Sequence, residues 1–226
     1  MNIAIIPARK GSKRKPFKNR AKINGKSIFE IALEQALRVN IFESVYVSTD
    51  DEILLKEAEK YPFILDDRED NFCEDKTPLI SVITHIIKKY NLSNDSIISL
   101  LTVTNPLIRD IDIIESNKLF SKKKRNRVIS VSEVDYPIEM TWKINDNGKL
   151  VNNYKVKTTR KQDFKSSYKW NDAIVIDTAL GFLNNDKSLY GENSIPFIMP
   201  MERSFQIDCD WQFKIVKLML ENKFNL

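Results

Sequence analysis

Asn2-Ile3-Ala4-Ile5-Ile6-Pro7 runs straight into Ala8-Arg9-Lys10-Gly11-Ser12-Lys13-Arg14-Lys15-Pro16-Phe17-Lys18-Asn19, and that junction decides the fold. The first piece is a short continuous apolar run, the pattern of a strand buried on both faces. The second is a cationic loop set directly after it, where phosphate-binding loops of open α/β sheets lie. It is neither a P-loop nor a Gly-x-Gly-x-x-Gly turn. It offers several cations, one glycine for close backbone approach and the Ser12 hydroxyl. Arginine and lysine neutralise phosphate through charge-assisted bonds. A solvated basic turn or a nucleic-acid contact is the competing interpretation, and the position after a buried strand weighs against both.

Working outward, the periodicity predicts an alternating chain. Ser27 is placed to cap a helix, with Glu30 three residues on. Ser44 to Asp50 reads as a second strand, Asp51 to Tyr61 as a helix stopped by Pro62, and Thr77 to Tyr90 as a helix with Pro78 in its first turn. Ser96 to Val103 reads as a strand, Asp110 to Lys122 as a helix and Arg127 to Val134 as a strand. Such alternation predicts an α/β fold, Rossmann-like, with a mostly parallel sheet and helices on both faces. Ligands then bind at the C-terminal ends of the strands. The pattern breaks from residue 135 to 170, where Asn145-Asp146-Asn147-Gly148 signals a hairpin turn. This stretch is expected to be an arm leaving the sheet. Strands are expected again at 173–176 and 204–208, and a closing amphipathic helix from Trp211 to Phe224.

Composition narrows the function. The 226 residues are 42% hydrophobic and 30% charged, with only five glycines, which fits one globular α/β domain over 1–226. Net charge is +5, yet seven of the 36 basic residues lie within residues 9–20, leaving 29 against 31 acidic ones elsewhere. A nucleic-acid binder usually spreads its charge over a face, so the expected partner is one polyanionic small ligand. The opening order, apolar then basic, is the reverse of a secretory signal. No run approaches the roughly 18 apolar residues of a membrane helix. A cytoplasmic protein with no membrane partner is expected. Two distant cysteines, Cys73 and Cys209, and a single histidine, His85, argue against a disulfide framework, a zinc site and Ser-His-Asp chemistry.

Three further segments are candidate sites. If Asp208-Cys209-Asp210 is extended, both carboxylates face one side, as a Mg²⁺ site shared with phosphates would want. The bland alternative is a strand end with Asp210 capping a helix. Ser48-Thr49-Asp50 lies at a strand terminus, where helix capping by Asp50 explains it equally well. Arg160-Lys161 and Trp170-Asn171-Asp172-Ala173 offer cations and amides for a sugar acid, or form surface loops.

Together these pieces resemble the acylneuraminate cytidylyltransferase family, the CMP-sialic acid synthetases, whose relatives activate legionaminic, pseudaminic and Kdo sugar acids. The resemblance lies in residues 5–14 with Lys18-Asn19, in Val47-Ser48-Thr49-Asp50, in Thr104-Asn105-Pro106-Leu107 and in Ile207-Asp208-Cys209-Asp210. It implies CMP transfer from CTP to a nonulosonic acid, and a nucleotidyltransferase fold whose arm exchanges within a homodimer. By the same resemblance, Arg9, Ser12, Lys13 and Lys18 would bind phosphates, and Asn19 the nucleotide. Arg68 would lie near base and ribose, with Asp75 and Thr77 in the adjoining motif. Asp208 and Asp210 would hold Mg²⁺ or Mn²⁺. Arg9, Lys18, Asp208 and Asp210 are thus the catalytic candidates, and Asp50, Thr102, Thr104, Arg160, Lys161 and Asn171 further substrate contacts. Departures cluster on the sugar side: Thr102-Val103 replaces Gln-Pro, Glu139 replaces a basic residue, Lys161 replaces an arginine, and Asn171-Asp172-Ala173 replaces Asn-Gly-Ala. A Kdo-type enzyme and a non-catalytic nucleic-acid module are the alternatives.

Overall fold

The computed structural model describes residues 1–74, 76–123, 126–156, 158, 160–185 and 187–222. Its centre is a seven-stranded sheet. In chain order the strands are β1 (Asn2–Pro7), β4 (Ser44–Thr49), β5 (Ile64–Asp67), β6 (Ile97–Leu101), β7 (Val128–Glu133), β10 (Tyr168–Thr178) and β11 (Ile195–Ile198). The ribbon strands β2 (Lys22–Ile23) and β3 (Lys26–Ser27) lie outside it, as does the hairpin β8 (Trp142–Ile144) and β9 (Leu150–Asn152). The spatial order is β11-β7-β10-β6-β1-β4-β5. β10 alone runs against its neighbours β6 and β7, and the other pairings are parallel.

The apolar run of β1 is buried on both faces, and its alternation sorts the core. Ala4 and Ile6 face one cluster, with α1 (Ile28–Arg38), α2 (Glu52–Ala58), α4 (Asp110–Lys122) and α6 (Asp210–Glu221) packed on it. Ile3 and Ile5 face the other, covered by α3 (Leu79–Lys89) and α5 (Ala179–Asn184). The period of two in strand side chains produces this split. Ser27 caps α1, its Oγ accepting from the Glu30 amide at 2.9 Å. The α2 cap is Asp51, not Asp50: Asp51 Oδ1 accepts from Ile53 N at 3.0 Å and Leu54 N at 3.4 Å.

The expected parallel α/β sheet is present, with three differences in its elements. β5 and β11 were not anticipated; Ile64–Asp67 and Ile195–Ile198 are short edge strands with little periodicity to read. Residues 204–208 form no strand. There the chain is pinned by single contacts, Ile207 N donating to Thr104 O at 2.8 Å and Ser204 Oγ donating to Pro200 O at 2.8 Å.

Between β7 and β10 the chain leaves the sheet, and β8 and β9 pair only with each other around the Asn145–Gly148 turn. Gly148 has φ 72, which the turn requires and glycine adopts without strain. Trp142, Ile144 and Leu150 stand more than half exposed on this hairpin.

A buried ion pair braces the far side. Arg127 Nε donates to Asp177 Oδ2 at 2.8 Å, and its guanidinium also reaches the carbonyls of Gly181, Ser188 and Leu189 at 3.0, 2.9 and 3.3 Å. Among the described residues no helix is long and apolar enough to cross a membrane.

Candidate active site

β1, β4 and β6 all end at the same edge of the sheet, and a cavity of about 790 Å³ opens there. The cationic loop after β1 forms one wall. Arg9, Gly11, Ser12, Lys13, Arg14, Lys18 and Asn19 all line the cavity.

Several bonds hold the loop's course. Ala8 N donates to Ser48 O at 2.9 Å, and the Thr49 hydroxyl donates to the Ala8 carbonyl. Asn19 Nδ2 donates to Arg9 O at 3.0 Å across the turn. Arg20 closes it with a bidentate pair to Asp51 at 2.7 and 2.6 Å. Asp50 accepts from Lys10 N at 2.6 Å, so it shapes the loop and does not line the cavity.

Asp208 comes to this loop from the far end of the chain. Ile207 is fully buried and tied to Thr104, which delivers the next residue to the cavity mouth. Asp208 Oδ1 accepts from Lys18 Nζ at 3.0 Å, and Oδ2 lies 3.1 Å from Arg14. Asp210 meets Lys15 at 2.6 Å, with the Lys15 ammonium 4.6 Å above the Phe213 ring. Cationic turn and distant acids therefore do converge.

The two acids are not equivalent, however. The strand geometry that would aim them alike is absent. Cys209 is the N-cap of α6 and Asp210 its first residue. Asp208 lines the cavity, whereas Asp210 sits outside its lining, exposed.

Burial sets the electrostatics. It pushes the Lys18 pKa down, partly offset by the hydrogen bond to Asp208. Burial likewise lowers that of Arg68, whose Nε and Nη2 donate to Ser48 Oγ and O at 3.1 and 2.7 Å. The Lys15 ammonium holds Asp210 below the usual carboxylate range. Asn19 is buried, and its Oδ1 has no hydrogen-bond partner among the described residues. A buried unpartnered acceptor is costly unless a ligand meets it.

Thr77, Thr102 and Thr104 also line the cavity. Asp75 lies outside the described residues. Asn171 is corrected: it is buried, and its side chain is consumed by Ser130 Oγ at 2.5 Å and Ser204 Oγ at 3.0 Å. It fixes β10 to β7 and does not reach the cavity. Arg160 and Lys161 are exposed on the arm, away from the lining.

Residues 3–179 match the sequence pattern of the family described as cytidylyltransferase. The chain belongs to the cytidylyltransferase family. This cytidylyltransferase is 27% identical to the pseudaminic acid cytidylyltransferase of Campylobacter jejuni, covering 96% of this chain and 95% of that one. It is 30% identical to the N-acylneuraminate cytidylyltransferase of Escherichia coli over 98% of this chain and 52% of the longer relative. It is 28% identical to the CMP-N,N'-diacetyllegionaminic acid synthase of Legionella pneumophila, covering 97% and 96%. Its fold matches that of a CMP:2-keto-3-deoxy-manno-octonic acid synthetase solved with CTP, with TM-score 0.72 at 15% identity and 99% coverage of both chains.

One wall of this cytidylyltransferase's cavity escaped the sequence reading. Ser188, Leu189 and Tyr190 close its far side, with Val175 and Asp172 of β10. Tyr190 stacks on Trp170 with ring centroids 3.6 Å apart. No local pattern marks this segment, because the distant Arg127 holds it through backbone carbonyls.

Proposed function

We propose that this enzyme transfers CMP from CTP to the anomeric hydroxyl of a sialic-acid-like nonulosonic acid and releases pyrophosphate. The reading rests on one observation: a loop of cations and the Asp208 carboxylate share the mouth of a cavity wide enough for nucleotide and sugar. The sugar oxygen attacks the α-phosphorus in line, the bond from that phosphorus to the bridging oxygen breaks with its electron pair leaving on pyrophosphate, and the hydroxyl proton passes to water. No covalent enzyme intermediate is required, so alignment and charge neutralisation carry the catalysis. Arg9, Ser12, Lys13 and Lys18 would hold the phosphates, and Arg68 the nucleoside side. Asn19 Oδ1 would accept from a nucleotide donor. The names of the relatives support a nonulosonic acid as acceptor.

We assign Mg²⁺ or Mn²⁺ to Asp208, with Asp210 at its flank. Among the described residues no three His, Cys, Asp or Glu side chains converge as a ready-made metal cage. The single carboxylate that lines the cavity, Asp208, fits an ion that arrives with the nucleotide, since Mg²⁺ takes one or two carboxylates plus substrate phosphates. When bound, the ion would draw charge from the phosphate oxygens. The reaction draws on CTP and is placed in the cytoplasm. The exposed arm residues Trp142, Ile144 and Leu150 support a homodimer in which a second subunit covers them.

The test is pyrophosphate release with each of the four nucleoside triphosphates against pseudaminate, legionaminate, N-acetylneuraminate and Kdo, on protein whose mass is measured by sedimentation. CTP with one of the first three, on a dimer, is expected. Preference for Kdo, equal use of all nucleotides, or salt-sensitive binding to DNA with no turnover would replace this reading.

The lowered pKa of Lys18 predicts a pH dependence. Protonated Lys18 attracts the triphosphate, so CTP affinity is present at neutral pH. It is lost as pH rises through a pKa below the ordinary lysine value of 10.5. The fold responds with the opposite sign. Burying the charged ammonium costs stability, and the cost fades as pH approaches 10.5. Calorimetric titration of CTP from pH 7 to 10 should show a falling affinity. In Lys18→Ala that fall should shrink. Parallel pH profiles in the two proteins would remove Lys18 from phosphate binding.

A further inference from the structure

Asp172 lies within the register shift of β10, between Trp170 and Val175, with φ 55. A side chain with a Cβ enters this left-handed region at a cost of roughly 1 kcal/mol, whereas glycine enters freely. Here the strained residue is also one that lines the cavity. Its backbone is fixed, the carbonyl accepting from Thr102 Oγ1 at 2.5 Å. Its carboxylate Oδ1 accepts from the Tyr190 hydroxyl. The Tyr190 ring cannot swing away, because it stacks on Trp170 with planes 7° apart. Burial and the Asp172 charge push the Tyr190 phenol up, so it remains a donor.

The second carboxylate oxygen has no hydrogen-bond partner among the described residues, and Asp172 forms no ion pair there. β10 is two strands from β1, roughly 10 Å at ordinary strand spacing, so the carboxylate stands apart from the phosphate loop. An anion in that place repels phosphate and carboxylate groups alike. It attracts hydrogen-bond donors.

We propose that Asp172, oriented by Tyr190, determines acceptor specificity by taking a hydrogen bond from a hydroxyl or acylamino N–H of the sugar acid. The inference rests on the CMP-transfer reading above and names a determinant within it. Backbone strain of this kind clusters at ligand sites, where the surrounding structure holds it in place. The carboxylate also rejects the inverted sugar pose, in which two carboxylates would meet.

The experiment compares wild type, Asp172→Asn, Asp172→Gly and Tyr190→Phe. Kinetics are measured with the preferred sugar acid and with analogues methylated or deoxygenated at its donor groups. Calorimetry measures CTP binding alone. Asn and Gly both suit φ 55, so Tm should move by no more than roughly 4 °C. Both substitutions are expected to lower kcat/KM for the sugar by about tenfold or more, with CTP affinity within a factor of two. Tyr190→Phe should show a smaller loss in the same direction. One donor-deleted analogue should cost wild type the same factor and cost Asp172→Asn nothing further. A merely structural residue would not produce that equality. Unchanged sugar kcat/KM in both Asp172 variants overturns the inference and leaves CMP transfer standing. Wild type inactive on every sugar acid overturns both.

Discussion

Asp208→Asn is expected to lower kcat by about a hundred- to a thousandfold, the range for loss of one electrostatic group at a reacting phosphate. The fold should survive, since Asn fills the same volume at a partly exposed position. Metal-free CTP binding should move the other way and tighten. The wild-type carboxylate competes with phosphate for Lys18 and Arg14, at 3.0 and 3.1 Å, and Asn withdraws that competition. Steady-state rates with Mg²⁺ and CTP titrations in EDTA measure the two effects. Asp210→Asn should be milder, because Asp210 stands outside the cavity lining, against Lys15. Turnover of Asp208→Asn within threefold of wild type would end its assignment to the metal and to the chemical step.

Arg127→Ala is expected to destabilise the protein by about 3–5 kcal/mol, because it strands the Asp177 carboxylate in the interior without its partner. For a chain of this size that lowers Tm by roughly 6–20 °C. The residue lies far from the phosphate loop, yet its guanidinium ties down Gly181, Ser188 and Leu189. Sugar KM should therefore rise more than CTP KM. The site tolerates little else. A Cβ on Gly181 would collide with the Asp177 carboxylate. Calorimetric melting with two-substrate kinetics decides the matter. A Tm loss under 3 °C would show that the pair is not the brace.

The cationic wall of the cavity was legible because its signals are local. A buried apolar strand running into seven cations states both the sheet and the ligand edge within twenty residues. Asp208 lines the cavity, but strand alternation is not what puts it there. It reaches the cavity through the Ile207–Thr104 tether and the start of α6. The opposite wall was legible only in part. Asn171 carries an amide suited to a ligand, but Ser130 and Ser204 consume it. No sequence pattern announces that a buried polar group already has its partners. The wall at 188–190 is placed by Arg127, some sixty residues earlier in the chain. Long-range backbone contacts of this kind leave no periodicity to read. The edge strands β5 and β11 were missed because each is four residues long.

The reversed direction of β10 ties the exposed hairpin to the cavity. A parallel strand would bring its last residues to the ligand edge, but this one brings its first. The chain leaves the end of β7 for the apolar hairpin and re-enters the sheet at Trp170 and Asp172, and among the described residues only two single-turn helices, Ile138–Met140 and Lys161–Asp163, interrupt that connection. A lengthened or shortened hairpin in a homologue would pull on the bulge that lines the cavity. Under the proposed hairpin-mediated dimer, subunit pairing and substrate choice are expected to drift together, while the cationic loop, anchored separately on β1 and β4, stays fixed.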